Sequence, residues 1–128
     1  MKDIIRLWEE EIRDVNAAAA VTVYSDYVKE GYIYYAEFMS IQHDNGADAN
    51  FIYGIENDGV KLPISNDSVT TGAGYVDAAG LYTFIKPGDR IYIDIPALTA
   101  GKYARFIIRG LMINAESFMS GAVFSFMI

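Results

Sequence analysis

The sequence has no cysteine, three prolines, one tryptophan and one histidine in 128 residues. Without cysteine there is no disulfide, no thiolate nucleophile and no cysteine-ligated zinc, so the chain must hold itself together through its core. A single domain of this length buries roughly two-thirds of its unfolded surface, which suffices without staples. Basic runs are missing too: 10 Lys and Arg stand against 17 Asp and Glu, a net charge of −7. Nucleic-acid binding needs cations aimed at phosphates, and the nearest approach to a cluster is Lys102, Arg105 and Arg109. Direct nucleic-acid binding is therefore not expected. The longest uncharged stretch near the end, Ser117 to Ile128, is too short for a membrane-crossing helix. The opening "MKDIIRLWEEEIRD" is charged throughout, unlike a signal peptide. Membrane insertion is not expected either.

Sites of chemistry are equally scarce. His43 sits in "IQHDNGAD" and reads as a solvated loop residue; no nucleophile-elbow motif surrounds it, and one histidine is too few for a cupin-type metal centre. Asp44 to Asp48 offers the oxygen ligands calcium takes, with Asp58 or Asp67 as distant partners. Its spacing departs from an EF-hand loop and lacks the terminal glutamate, and Asp and Asn equally serve turns. "TGAG" at Thr71 to Gly74 lacks the Lys-Ser/Thr ending of a phosphate loop. Glu37, Glu56 and Asp94 lie on strand-like segments, where a carboxylate alternating with apolar neighbours is the solvent face of a sheet. No catalytic, cofactor-binding or metal-ligating residue emerges, no cofactor is implied, and the chain is not expected to be an enzyme.

What is present is pattern. At 100° per residue Ile4, Ile5, Trp8, Ile12 and Val15 share one arc, with Leu7 at its edge and Lys2, Arg6, Glu9, Glu10 and Arg13 opposite. This spacing predicts an amphipathic helix over 1–16, carrying a Glu9–Arg13 pair and docking on its own domain or on a neighbour. After "NAAAA" the period becomes two. Strand-like runs follow at Ala20 to Val28, Tyr32 to Gln42, "NFIYGIE", "VKLPI", "LYTFI", "RIYIDI", Tyr103 to Ile113 and "FMSGAVFSFMI". "NDG" at Asn57 to Gly59 is a hairpin signal, and Pro63 confines its strand to an edge. In "KPGD" Pro87 presets one turn dihedral and Gly88 supplies the positive φ of a type II turn. Ser65 to Gly80, small and polar, reads as a loop or a poorly formed strand.

Ten tyrosines and seven phenylalanines are the one excess. With Ile91, Ile93 and Ile95 turned inward, Tyr92 turns outward, and several tyrosines are expected on an exposed surface suited to contact. The acids crowd into residues 1–58, which hold 12 of them against 4 bases, an unevenness that would suit complementary patches for self-assembly.

The stretch "LYTFIKPGDRIYIDIPALTAGKYARFIIRGLMI", with "YYAEFMSIQHDNGADANFIYGIENDGVKLPI" before it, resembles small single jelly-roll structural proteins of bacteriophages and other viruses, of the capsid, penton, decoration or spike-base type. The resemblance covers residues 20–128 and is one of turns and alternation. It implies an all-β, antiparallel two-sheet sandwich, jelly-roll-like with about eight strands, over 17–128, preceded by the helix of 1–16. It further implies a non-enzymatic building block of a virion, made in the host cytoplasm, with homo-oligomeric or coat-protein partners. Interface candidates are Ile5, Trp8, Ile12, Tyr24, Tyr34, Tyr92, Arg105 and Arg109. The alternative is a carbohydrate- or receptor-binding β-sandwich that stacks exposed rings on a glycan; Trp8 on the apolar stripe speaks against it.

Overall fold

A computed structural model describes residues 4–15, 18–72, 76–99 and 102–119. Among these residues eight strands run in chain order: β1 (Ile5–Val15), β2 (Val21–Tyr24), β3 (Tyr32–His43), β4 (Ala49–Asn57), β5 (Val60–Thr71), β6 (Val76–Ile85), β7 (Asp89–Ile95) and β8 (Tyr103–Asn114), followed by a short helix α1 (Ala115–Met119). They form two antiparallel four-stranded sheets, ordered β1-β8-β3-β6 and β2-β7-β4-β5. The pairs β1·β8 and β3·β6 lie in the first sheet, β2·β7 and β4·β5 in the second. The chain is thus one long hairpin, with its tip between β4 and β5, rolled so that successive pairs alternate between layers. This is the winding of a jelly roll.

Turn chemistry sets the tip. Asp58 and Gly59 both have positive φ, 49° and 80°, which gives the sharp reversal a two-residue hairpin requires. At the second turn Gly88 has φ 93° and the Asp89 amide donates to the Lys86 carbonyl at 2.9 Å. Both turns follow the sequence expectation, and β5, which carries Pro63, is an edge strand. Alternation then sorts the side chains: Ile91, Ile93 and Ile95 of β7 are buried, as are Phe51 and Tyr53 of β4 and Ala104, Phe106 and Ile108 of β8. Phe51 meets Phe106 edge-on at 5.4 Å, locking one layer onto the other. Each of the buried isoleucines and phenylalanines contributes about 1.5–3 kcal/mol of burial.

Two expectations are corrected and one is decided. Residues 5–15 are not helical: β1 pairs with β8 through eleven consecutive residues, and the helix among the described residues is α1. The side chain of Trp8 is buried and that of Leu7 is 86% exposed, a strand alternation. Spacing of i,i+4, as between Trp8 and Ile12, belongs to both periods, and Glu10 at the inner position between them disguised the strand. Glu9 consequently pairs with Arg109 rather than Arg13. Second, of the two readings of 65–80, a loop or a poorly formed strand, the strand holds where residues are described: 60–71 and 76–85 are strands, because pairing with β4 and β3 supplies what small side chains do not. Third, "NAES" begins α1, where Asn114 Oδ1 accepts the Ser117 amide at 3.1 Å. Phe118 and Met119 belong to that helix, and the rest of the expected last strand lies outside the described residues.

Candidate interaction surface

β2 lies beside β7, Val21 opposite Ile95 and Tyr24 opposite Tyr92, so their outward side chains share the outer face of the second sheet. β4 continues that face on the other side of β7, with Ile52 opposite Asp94 and Glu56 opposite Arg90. The segment after β2 stays alongside β7: Ser25 N donates to Ile91 O at 2.9 Å, Ile91 N to Ser25 Oγ at 2.9 Å, and Val28 N to Asp89 O at 3.0 Å. These bonds bring Tyr27 to the same patch as Tyr24.

Arg90 is the centre of the patch. Its guanidinium carbon stands 3.7 Å from the Tyr24 ring centroid and 4.5 Å from that of Tyr27. Its Nε donates to Glu56 Oε2 at 2.5 Å, while Glu56 Oε1 accepts the Gly59 amide at 2.7 Å. The hydrogen bond from Arg90, helped by that from Gly59, holds the Glu56 carboxyl below its ordinary value. Four residues further along β7, Asp94 accepts from Thr22 Oγ1 and, at 2.9 Å, from Lys61 Nζ. Burial pushes Asp94 up, but these two donors outweigh it and leave it low; Asp94 in turn raises Lys61. The Lys61 ammonium lies 5.0 Å from the Tyr92 centroid. The outcome is a preset array of rings and charges, with Tyr27 52%, Ile52 44% and Tyr24 37% exposed. Tyrosine and arginine dominate the energetics of protein contacts, and side chains already fixed lose less freedom on binding.

The sequence candidates distribute unevenly. Tyr24 and Tyr92 lie on this face, but Tyr92 is only 4% exposed, because it lies over Gly54, where a Cβ would be 2.8 Å from the ring. Trp8 and Tyr34 are buried against one another, ring centroids 4.8 Å apart. Ile12 is half-buried against the core and Ile5 half-buried opposite Ile113. Arg105 and Arg109 are on the outer face of the first sheet, paired with Glu11 and Glu9. Tyr27, Arg90, Glu56 and Lys61 were not among the interface candidates, although Glu56 was weighed as a strand carboxylate. Alternation places Arg90 outward with Tyr92, yet only the pairing of β2 with β7 discloses the tyrosines beside it.

One other sequence reading changes. His43 is buried, not solvated: it ends β3, its Nδ1 accepts the Asn45 amide at 3.1 Å, and its ring is 5.7 Å from Phe51. In the Asp44–Asp48 loop Asp44 Oδ1 accepts the Tyr103 amide and Asn45 Oδ1 the Thr99 amide, both at 2.8 Å, so these oxygens cap backbone. Among the described residues no group of three or more His, Asp or Glu side chains is arranged for a metal ion.

No family model matches the sequence, and no curated protein matches it. Among solved structures the chain is similar to the tobacco streak virus coat protein, with a TM-score of 0.50 and 9% identity over 88% of both chains. A chain from Bacillus endospore appendages, a novel family of disulfide-linked pili, gives 0.46 at 15% identity over 86% of this chain and 91% of that one. A chain of infectious bursal disease virus, Gx strain, gives 0.45 at 9% identity, covering 87% of this chain and 32% of that one. At 9% identity the likeness to the tobacco streak virus coat protein is one of fold alone, and the structural neighbours include viral and pilus proteins.

Proposed function

We propose that the chain is a non-enzymatic structural protein of a virus or phage particle, of minor capsid, penton or decoration type, acting through contacts with its own copies and with other coat proteins. The observation that carries this reading is the Tyr24–Arg90–Tyr27 cluster on the outer face of the second sheet, solvent-facing and held in place by Glu56. The fold shared with a viral coat protein supports it. In this role the first sheet and core are scaffold, and the second sheet's outer face is the contact. Residence in the virion follows from the same reading.

Light scattering coupled to size exclusion tests the proposal, together with binding to particles that lack this protein. The wild-type chain is expected to form a defined oligomer or to bind such particles, and Tyr27→Ser with Arg90→Ala to abolish both while circular dichroism stays unchanged. A wild-type monomer that ignores those particles would remove the proposal.

A further inference from the structure

The outer face of the first sheet carries a second feature, on the opposite side of the sandwich from the contact just described. Register places residues there in rows: Arg13, Arg105, Gln42 and Val76; then Glu11, Ile107, Ser40 and Ala78; then Glu9, Arg109, Phe38 and Gly80. The grid is low beside Ser40, whose side chain is small between Ile107 and the two arginines. A depression of about 270 Å³ results, lined by Ser40, Gln42, Val76, Arg105, Ile107 and Arg109. That is just under the lower end of small-molecule sites, about 300 Å³. Three residues of strand lie between the two arginines, roughly 13 Å between their Cα atoms.

Among the described residues both guanidiniums keep donors outside hydrogen bonds, though Arg109 also lies 5.9 Å from the Phe38 ring centroid. Each has five N–H donors. Arg105 makes one long hydrogen bond, 3.4 Å to Glu11 Oε2, and its solvent-shielded Nε has Glu11 Oε1 at 3.2 Å but out of line. Arg109 donates to Glu9 Oε2 at 3.3 Å. The Ser40 hydroxyl and Gln42 amide form no hydrogen bond among the described residues. The basic forks thus already hold carboxylates, loosely, and exposed pairs of this kind are worth about 0–1 kcal/mol. An incoming carboxylate can share the forks or displace Glu9 and Glu11.

We propose that this depression binds a carboxylated sugar, a hexuronic-acid unit of an acidic polysaccharide. The arginines take the carboxylate, for which a guanidinium fork is geometrically matched. Ser40 and Gln42 supply a donor and acceptors to ring hydroxyls, and Ile107 and Val76 cover the C–H face of the ring. Because the site and the Tyr24–Arg90–Tyr27 patch lie on different sheets, either can fail alone.

The test is an amide-resolved NMR titration with methyl glucuronide, with methyl glucoside as the neutral control and triglutamate as the acidic-peptide control. Glucuronide is expected to shift the amides of Ser40, Gln42 and Ile107, with an affinity that falls as salt is added. Arg109→Gln should weaken it at least tenfold, and Lys29→Gln, an equal change in net charge elsewhere, should leave it alone. Glu11→Gln should strengthen it several-fold by freeing Arg105, an effect a merely structural role would not produce. Equal binding of glucoside, no effect of Arg109→Gln in a folded protein, or silence in both wild type and Glu11→Gln would overturn the proposal. Triglutamate binding in place of glucuronide would overturn it too, assigning the depression to an acidic protein segment.

Discussion

Truncating Trp8 tests whether the first segment is a strand of the sandwich. The indole is 6% exposed and stacks on Tyr34 at 4.8 Å, so Trp8→Ala removes a large buried side chain from the margin of the core. Such truncations cost about 3–5 kcal/mol, a large share of the 5–15 kcal/mol that holds a typical domain folded. With a urea m-value of about 1–3 kcal/mol/M, the midpoint should fall by at least about 1 M. Leu7, its neighbour, is 86% exposed, so Leu7→Ala should stay within about 0.5 kcal/mol of wild type. An amphipathic helix would place Leu7 at the edge of its docked arc and make both truncations costly. The strand makes one severe and the other silent. Far-ultraviolet circular dichroism follows unfolding of both variants, and the single tryptophan adds a fluorescence probe for Leu7→Ala. Equal losses, or a Trp8→Ala loss under about 1 kcal/mol, would refute the burial reasoning.

Three further outcomes are expected. A Cβ at Gly110 would stand 1.9 Å from the Tyr35 carbonyl oxygen, a backbone atom beside the β3 irregularity, so Gly110→Ala should cost about 3 kcal/mol or more, read as a lost or sharply lowered melting transition. Burial pushes Asp89 up, but Asn57, the Lys86 amide and the Lys86 ammonium outweigh it and leave its pKa lowered. The folded state then binds that proton less readily than the unfolded one, so stability present above the unfolded value of about 3.9 is lost as pH falls through the lower folded value. Asp89→Asn should flatten that part of the stability–pH curve; an unchanged curve contradicts the assignment. For Glu10 the sign reverses: burial raises its pKa, against the hydrogen bond from the Asp26 amide at 2.7 Å. Its charge therefore works against the fold at neutral pH, and Glu10→Gln should stabilise at pH 7 by a margin that shrinks as pH falls towards the carboxylate range. A destabilisation equal at every pH would count against it.

The parts of the fold legible in the sequence are those whose information is local. "NDG" and "KPGD" specify positive φ within a few residues, and "RIYIDI" announces its buried face by isoleucine at every second position. β1 was illegible because its inner face reads Trp8, Glu10, Ile12, and a half-buried carboxylate between two apolar residues breaks period two while leaving an i,i+4 pair intact. Glu10 sits there because the Asp26 amide and Trp8 Nε1 donate to it, and Asp26 is sixteen residues away. The irregularity in β3 and β6 escaped for a related reason. Tyr82 has φ 48°, and its ring lies where a Cβ on Gly80 would be 2.3 Å away, a local conformation that only the pairing of β6 with β3 fixes.

The contact surface was half legible, and the missing half follows from the same distinction. Alternation alone gives that Arg90, Tyr92 and Asp94 point away from Ile91, Ile93 and Ile95. It cannot give which of them remains open, since that depends on the neighbouring strands. Tyr92 is opposite Gly54 on β4 and is covered there, with Lys61 nearby, whereas Arg90 is opposite Glu56 and keeps an open side toward Tyr24 and Tyr27. A glycine 38 positions upstream thus converts an outward tyrosine into part of the scaffold, and an arginine two residues earlier becomes the focus. Exposure in a rolled hairpin is a property of pairs, and it turns on the β2·β7 and β4·β7 registers. Restoring a side chain at position 54, as in Gly54→Ala, should crowd Tyr92 and the Leu62 carbonyl, 2.8 and 2.6 Å from the new Cβ, and so perturb the patch without touching Arg90.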